Sequence, residues 1–354
     1  MTEICLIRRS FRFDGGAERA VSSYIDILRS ISRLTLYCES WDLENRHDVE
    51  LVMASKKGWT RASTYRNFIQ AACAHCAQYA GISQAHEFVP GANVLRLGDG
   101  LHSSWLQFSG MPQWKQFLDP FHRNKLRFEA ESFASDQLKA VIVNSEMIGR
   151  EVHDLYNLPD ERTHLIRNIV RADFKERFRF SRERNKKMIF VGSGWERKGL
   201  RLVIEALQVL GKDWSLSVYG GDKHERRFKN LVNQSGLSSQ VSFFGRLPVT
   251  PEMYQEACVL VLPAIYEPFP NVAIESLSQG VPVVSSVNSG TSDFVEEQGV
   301  WTTELTGYAI ARSVLESTQS SDSQRQLFRE HVLQFDEVYL KKRLTDIYSI
   351  IPNC

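Results

Sequence analysis

The sequence predicts an α/β fold of two doubly wound parallel sheets, one in each half of the chain. Three observations carry the prediction. Short apolar runs of strand length alternate with stretches at helical spacing from one end to the other. Most of these runs end in small or turn-forming residues, and several of the turns lead into a helix, the repeated βα grammar of a nucleotide-binding domain. Between the halves, Arg171 to Lys187 is dense in charge and has no clear apolar period. The chain of 354 residues, long for one domain and comfortable for two, therefore reads as a domain 1–170, a linker 171–187, a domain 188–334 and a terminal segment 335–354.

In the first half, a strand at Glu3–Arg8 precedes Gly15-Gly16 and a helix in which Ala20, Val21, Tyr24, Ile25 and Leu28 recur at helical spacing. Strands at 34–38 and 49–53 lead to a long helix near 62–79. A strand near 93–97 runs into Gly98-Asp99-Gly100-Leu101-His102, and the stretch from Trp105 to Phe121 is rich in aromatics. A helix near 123–134 follows, then a strand at Ala140–Ser145, with Ser145 placed to cap a helix ending near Tyr156. The second half opens with Met188–Gly194 and a helix at Leu200–Leu210. Strands at 215–219 and 241–244 end in Gly220-Gly221-Asp222 and Gly245-Arg246. The unbroken apolar run Cys258–Leu262 reads as a buried parallel strand. A loop with three prolines, Pro263, Pro268 and Pro270, then enters a helix at Val272–Gln279, and Val283–Ser286 is the next strand. In the last helix, Leu340, Leu344, Ile347 and Ile351 form a docking face, which fits packing on its own domain or crossing back to the first.

Hydrophobic residues at 43% and charged residues at 24% fit a globular chain and exclude a disordered or fibrous one. A net charge of +1 argues against bulk capture of nucleic acid, while leaving room for a local basic patch. No apolar stretch approaches the roughly 20 residues of a spanning helix. The first strand meets Arg8 and Arg9 too early for a secretory apolar region, so the expected compartment is the cytoplasm. Cys5, Cys38 and Cys258 lie in or beside apolar runs and read as buried thiols. Cys73-Ala74-His75-Cys76 is a lone CxxC, with no second pair to complete a zinc site.

Several constellations carry chemistry. Glu267 and Glu275 bracket the proline loop with seven residues between them, at the carboxyl end of a strand and the start of a helix, where open α/β sheets place ligands. Glu275 interrupts an apolar helix face and needs a partner. Neighbouring ribose hydroxyls would serve, and a charge favoured by the helix dipole is the plainer alternative. Gly192-Ser193-Gly194-Trp195-Glu196-Arg197-Lys198-Gly199 lies between strand and helix, where glycines let backbone amides approach an anion and Arg197 and Lys198 add positive charge. A diphosphate is the natural ligand, although the spacing is neither Walker A nor GxGxxG. A tight turn with two solvated charges is the alternative.

In the first half, Gly15-Gly16 has the same placement after a strand. Arg8, Arg9, Arg12 and Arg19 crowd it with Phe11 and Phe13, a mix suited to an anionic, partly apolar acceptor. Lys56, Lys57, Arg61 and Arg66 flank Trp59, Tyr65 and Phe68, which fits either a membrane-surface patch or a solvated face. Asp99 and His102 follow a strand end and are placed for polar work in a cleft.

Glu267 and Glu275 at this spacing, with Gly-Ser-Gly and Arg197-Lys198 upstream, resemble the retaining GT-B glycosyltransferases of family 4. The resemblance is most specific over 188–293. The first half matches through Gly15-Gly16, Val141–Ser145 and Pro90-Gly91 to Asp99, and the stretch Pro90–His102 resembles lipopolysaccharide-core glucosyltransferases that act on inner-core heptose. The resemblance implies two Rossmann-like domains facing a central cleft, with a nucleotide-sugar donor (a UDP-sugar) in the C-terminal one and a glycan or glycolipid acceptor in the N-terminal one. It implies transfer of a hexose with retention, no metal and no cofactor, and peripheral contact with the cytoplasmic face of an anionic membrane. No Asp-x-Asp triplet is present to hold a divalent ion.

By the same resemblance Glu275 holds the donor ribose and Glu267 lies near the donor sugar. Phe269, Asn271 and Val272 bind sugar hydroxyls and phosphate through their amides, and Arg197 and Lys198 neutralise the leaving diphosphate. Gly15, Gly16, Gly192, Ser193, Gly194, Gly221, Gly245 and Arg246 complete the donor site, and Asp99 and His102 stand near the reacting sugar. Pro268 and Pro270 replace the glycines the family usually has around Phe269, and Pro270 removes an amide donor. A nucleotide-dependent dehydrogenase or epimerase would need GxGxxG with an acidic residue about 20 positions on, which neither half has. A non-catalytic sugar-nucleotide binder stays open as a third class.

Overall fold

The computed structural model describes residues 2–11, 16–41, 49–178 and 185–351, the side chains of 16–23 excepted. The chain divides into two compact units, Met1–Arg167 with Glu337–Cys354, and Asn168–Asp336. Each is built on an all-parallel sheet, as the alternation of apolar runs and helices predicts.

The first unit contains β1 (Thr2–Ile7), β2 (Ser10–Phe11), α1 (Gly16–Ile31), β3 (Ser32–Cys38), β4 (Ser40–Trp41), β5 (Glu50–Met53), α2 (Arg61–Cys76), β6 (Ile82–Ala85) and β7 (Val94–Leu97). It continues through α3 (His102–Phe108), α4 (Gln113–Leu118), α5 (Pro120–Phe133), β8 (Ala140–Val143), α6 (Glu146–Tyr156) and β9 (Thr163–Leu165). The strand order is β5-β3-β1-β6-β7-β8-β9, and β2 pairs separately with β4. Strand order therefore reverses between β1 and β6, the topological switch point.

The second unit contains α7 (Ala172–Glu176), β10 (Lys187–Val191), α8 (Leu200–Leu210), β11 (Ser215–Tyr219), α9 (Glu225–Gln234), β12 (Val241–Gly245), α10 (Pro251–Gln255) and β13 (Val259–Leu262). Then come α11 (Asn271–Ser278), β14 (Val283–Ser286), β15 (Val300–Thr303), α12 (Gly307–Ser317) and α13 (Asp322–Leu333). The order β12-β11-β10-β13-β14-β15 puts its switch point between β10 and β13. All four residues of β13 are fully buried, which explains why this strand reads as a continuous apolar run rather than an alternating one. The last helix, α14 (Glu337–Ser349), belongs to the first unit, where Tyr348 donates to the buried Gln84 of β6 at 2.5 Å and the docking-face residues Leu340, Leu344, Ile347 and Ile351 are buried.

Two expectations need correction. The stretch 171–187 is not simply a linker: its described part contains α7, whose Phe174 is fully buried in the second unit's core, and ends in β10. Among its described residues Phe174 is the one buried apolar side chain, which leaves no period to detect. Tyr65 and Phe68 are not part of a surface patch, because both face the core of the first unit and are 1% exposed.

Candidate functional site

Two strand-end loops flank the switch point of the second unit. The loop after β10 carries the glycine turn. Gly192 has φ 147°, and a Cβ there would lie 2.7 Å from Cδ of Lys198, so glycine lets the lysine stem fold back across the turn. Gly199, at φ 78°, starts α8 so close to the loop after β13 that a Cβ would lie 2.2 Å from the Pro263 carbonyl oxygen. Ile265 N–H donates to the Arg197 carbonyl at 2.8 Å, a second tie between the two loops. The buried Trp195 fixes the turn from within: its indole N–H donates to the Gly192 carbonyl at 2.9 Å, and its backbone N–H donates to Asp222 at 2.8 Å.

These ties bring Arg197 and Lys198 onto one carboxylate. Arg197 Nη1 lies 2.7 Å and Lys198 Nζ 2.9 Å from Glu267 Oε2, and Arg197 also donates to the Tyr266 carbonyl at 2.9 Å. The Glu267 side chain is 15% exposed. Burial pushes its carboxyl up, but Lys198 and then Arg197, through charge and hydrogen bonds, outweigh burial and hold it at about 2. Glu267 is therefore an acceptor-only group at neutral pH. The cluster keeps one net positive charge at the start of α8, which has no side-chain cap.

The neighbouring loops join the same edge of the sheet. Gly192 N–H donates to the Tyr219 carbonyl and Gly220 N–H to the Gly245 carbonyl, so the turns after β10, β11 and β12 lie side by side. The exposed Arg246 lies across Gly221, its Nε 3.0 Å from where a Cβ would stand. Ser193 and Gly194 are exposed at the tip of the first turn.

After β13, Phe269 packs edge-on against Phe294 at 5.8 Å, and Asn168 holds the loop by donating to the Phe269 carbonyl at 3.2 Å and to Asn271 Oδ1 at 2.6 Å. Pro270 is the N-cap of α11, at φ −74°, and it supplies no side-chain acceptor to the first turn, where Asn271 and Val272 stand. Prolines 268 and 270 are both buried. Their fixed φ sets the entry to the helix without a capping side chain. Glu275, 6% exposed, is set apart from the Arg197–Lys198–Glu267 cluster. It accepts from Tyr254 Oη at 3.0 Å and faces Arg171 Nη1 at 3.5 Å.

In the first unit, Asp99 and His102 share a turn but not an environment. Asp99 is exposed, whereas His102 is buried, with Nε2 3.0 Å from Nδ1 of His122 and its ring stacked on Trp105. Burial first, then Lys125, His122 and Arg61, hold the His102 imidazole down to about 3, so it is neutral at physiological pH. The start of α3 is occupied from within: the fully buried Glu129 accepts from His102 N–H at 2.6 Å, from Ser103 and from Tyr156 Oη at 2.5 Å. Gly15 lies outside the described residues, and Gly16 opens α1.

Sequence reasoning missed Asn168, Arg171 and Tyr254 in the second unit, and Glu129 and His122 in the first. The first two lie beside or inside the stretch taken as a linker, and Tyr254 sits on a five-residue helix too short for a periodic signal. Glu129 is one carboxylate in a charged helix, with no sequence signal of its burial.

Residues 172–329 match the family described as Glycosyl transferases group 1. An uncharacterised glycosyltransferase of Methanocaldococcus jannaschii is 28% identical over 179 residues, 46% of this chain and 46% of its own. The chain spans less than half the length of the curated relatives it matches first. Among solved structures, WaaG, a glycosyltransferase involved in lipopolysaccharide biosynthesis, matches with a TM-score of 0.81 at 18% identity, covering 98% of this chain and 100% of its own. HepE of Anabaena, solved with UDP and glucose, matches with a TM-score of 0.72 at 17% identity, covering 99% and 100%. At these identities the likeness establishes the fold, which is GT-B.

Proposed function

We propose, from the match of residues 172–329 to the group 1 glycosyl transferases and from the GT-B fold, that the chain is a retaining hexosyltransferase. It moves a hexose from a nucleotide-sugar, a UDP-sugar, to a glycan or glycolipid in lipopolysaccharide-core or other cell-surface polysaccharide synthesis. The observation that carries the reading is the convergence of Arg197 and Lys198 on Glu267 at the switch point of the second sheet. Open α/β sheets bind ligands there, and two cations beside a glycine turn suit a diphosphate. The solved relative that holds UDP and glucose supports the choice of donor class.

In this reaction the bond from the anomeric carbon to the diphosphate breaks and the acceptor oxygen bonds on the same face. The acceptor proton passes to the departing phosphate oxygen. Arg197 and Lys198 stabilise the charge that the diphosphate gains. Glu267, held ionised, accepts from hydroxyls of the donor sugar and keeps the two cations aimed at the turn. Glu275, steadied by Tyr254 and Arg171, accepts from the ribose. Phe269, Asn271 and Val272 line the donor at the uncapped start of α11, while Gly192 to Gly194, Gly221, Gly245 and Arg246 face its phosphates and base. The acceptor belongs to the first unit, with Asp99 as its polar contact. His102 positions the Asp99 turn as a neutral ring, and Gly15 and Gly16 complete the donor site. The chemistry takes place in the cytoplasm, without a metal or cofactor, at the cytoplasmic face of the membrane.

The test is transfer by the purified protein from a panel of UDP- and GDP-hexoses to lipopolysaccharide-core acceptors, with the product anomer read by NMR. We expect transfer from a UDP-hexose with retention. Tight donor binding with neither transfer nor donor hydrolysis would instead establish a non-catalytic binder, and an inverted product would overturn the front-face route.

A further inference from the structure

In the second sheet β13 lies between β10 and β14, and Glu267, in the loop after β13, is gripped from both sides. On the β10 side, Arg197 and Lys198 hold its side chain, and both contacts fall on the same oxygen, Oε2. On the β14 side, the loop after that strand holds its backbone. Glu267 N–H donates to the Asn288 carbonyl at 3.1 Å, and its own carbonyl accepts from Gly290 N–H at 2.9 Å, which makes a parallel bridge between Glu267 and Ser289. With Oε2 taken by the cations, Oε1 is the oxygen that meets a sugar hydroxyl in the transferase reading.

The loop after β14 is itself fixed by hydroxyls. Ser285, Ser286, Ser289 and Thr291 are all fully buried. A buried hydroxyl is costly unless it is bonded, and each of these is. Ser286 donates to the Ala264 carbonyl in the loop after β13. Thr291 Oγ1 donates to Ser285 Oγ at 2.7 Å and lies 2.8 Å from Ser289 Oγ. A hydroxyl has one proton to give, and Thr291 gives its proton to Ser285, so Ser289 is the donor in the second bond. The chain Ser289–Thr291–Ser285 therefore ties the residue bridged to Glu267 down to the end of β14, where Ser285 is in register with Leu262 of β13. Closing the turn does not need this chain. Backbone bonds already close it, from Ser289 N–H to Ser286, from Ser292 N–H to Ser289 and from Phe294 N–H to Thr291. What the hydroxyls add is a fixed height of the turn above the strand end, and Thr291 is the middle link through which both bonds pass.

We propose that Thr291 is a positioning residue for Glu267. Its hydroxyl sets the loop after β14, that loop sets the Glu267 backbone, and the backbone sets where Oε1 meets the donor sugar. A small displacement of such a group costs rate more than affinity, because contacts to the diphosphate and ribose still hold the donor. The proposal deepens the transferase reading and rests on it for the identity of the ligand, while the link from Thr291 to Glu267 is measurable with no ligand present.

The experiment pairs Thr291→Val, which keeps the shape and removes the hydroxyl, with Thr291→Ser, which keeps the hydroxyl. Two readouts are taken on the full chain. One is kcat and donor KM with the UDP-hexose that the wild type uses. The other is the carbon NMR signal of the Glu267 carboxyl at neutral pH without donor, assigned by its loss in Glu267→Gln. In Thr291→Val we expect kcat about tenfold lower, donor KM within about threefold of wild type, and a displaced Glu267 signal beside an unmoved Glu275 signal. Thr291→Ser should return kcat to within about threefold of wild type and restore the Glu267 signal. A lower thermal transition with wild-type kcat and an unmoved Glu267 signal overturns the proposal, because the hydroxyls then only fill the turn. So does equal displacement of the Glu267 and Glu275 signals, which is a general loosening of the unit. If Thr291→Val does not fold, Ser285→Ala, which removes only the last link, takes its place and is read in the same way. A Glu267 signal that responds as expected, in a protein whose wild type transfers from no nucleotide-hexose, keeps the positioning role and rejects the transferase reading.

Discussion

After β7 the first unit turns through Gly98–Leu101 into α3, and after β10 the second unit turns through Gly192–Gly199 into α8. Both turns obey the same strand-to-helix grammar, yet they treat negative charge in opposite ways. The start of α3 is filled by the buried carboxylate of Glu129, which takes the amides of His102 and Ser103. The start of α8 has no side-chain cap and carries Arg197 and Lys198, with Glu267 as their ion-pair partner among the described residues. Position relative to the sheet differs as well. The second turn flanks a switch point, whereas the first follows β7, a strand removed from the β1–β6 switch. A helix start that satisfies itself suits neutral ligands, and one left cationic suits a diphosphate.

The sharpest way to break this comparison is to remove the charge from the second corner. Arg197→Ala/Lys198→Ala should lower kcat by about a thousandfold, roughly 4 kcal/mol of transition-state stabilisation, more than the roughly 3 kcal/mol of fold stability lost with Glu267's two partners. Steady-state transfer rates check it. Turnover retained in the double variant would mean that the basic corner is only a solvated helix start.

Next in size is the acid cap of the first corner. Glu129→Ala strips two backbone donors and the Tyr156 hydroxyl of their acceptor inside the core, and should cost about 3 kcal/mol of stability. Glu129→Gln, which keeps one acceptor oxygen, should recover part of that. Denaturant unfolding of the two variants reads the difference, and equal stabilities for wild type and Glu129→Ala would remove the cap from the argument.

Close behind comes the response to acid, where the two corners separate by pH. Glu267 is held at about 2 against an ordinary value of 4.5, so its pairing stabilises the fold above pH 4.5 and is lost as pH falls toward 2. The shift corresponds to about 3 kcal/mol. His102 is held at about 3 against 6.5, so the unfolded chain takes its proton first, and stability falls from pH 6.5 downward until the folded ring titrates near 3. Glu267→Gln should leave the slope between pH 6.5 and 4.5, reduce it between pH 4.5 and 3, and flatten the curve below 3. His102→Gln should remove the slope between pH 6.5 and 4.5, reduce it between 4.5 and 3, and leave it below 3. A curve that Glu267→Gln leaves unchanged below pH 4.5 would show that the pair adds nothing to the fold.

The contrast between the corners also marks how far the sequence could be read. β10 and β13 were legible because their apolar runs are buried on both faces, and the charged corner because its residues are contiguous or have seven residues between them. β6 was not, since Ser83 and Gln84 sit in the middle of a buried strand. Ser83 is satisfied by Asn93 at 2.8 Å, and Gln84 by His86 at 3.1 Å and by Tyr348, partners 10, 2 and 264 residues away. The cap on α3 was hidden for the same reason: Glu129 acts 27 residues from the amide it binds. The pairing of Arg197 and Lys198 with Glu267 spans about 70 residues, and only the side-by-side parallel pairing of β10 and β13 reveals it. Tertiary partners decide whether a polar residue is a fault or a fixture, and spacing alone carries no trace of them.

The smallest effect tests the division of labour between the two carboxylates of the second corner. Glu275 differs from Glu267 in the groups that hold it. Its Oε2 takes the Tyr254 hydroxyl at 3.0 Å, and its Oε1 faces Arg171 at 3.5 Å. Glu275→Ala should weaken donor binding by about tenfold if the carboxylate holds the ribose, about 1.4 kcal/mol by calorimetry. That variant also removes an acceptor from the buried Tyr254 hydroxyl, so its result mixes binding with packing. Tyr254→Phe separates them. It should cost about 1 kcal/mol of stability by freeing one carboxylate oxygen, yet leave donor affinity within a few-fold, because Arg171 still fixes the other oxygen. If Tyr254→Phe weakens the donor as much as Glu275→Ala does, the hydroxyl rather than the carboxylate meets the ribose, and Glu275 is a buttress for Tyr254.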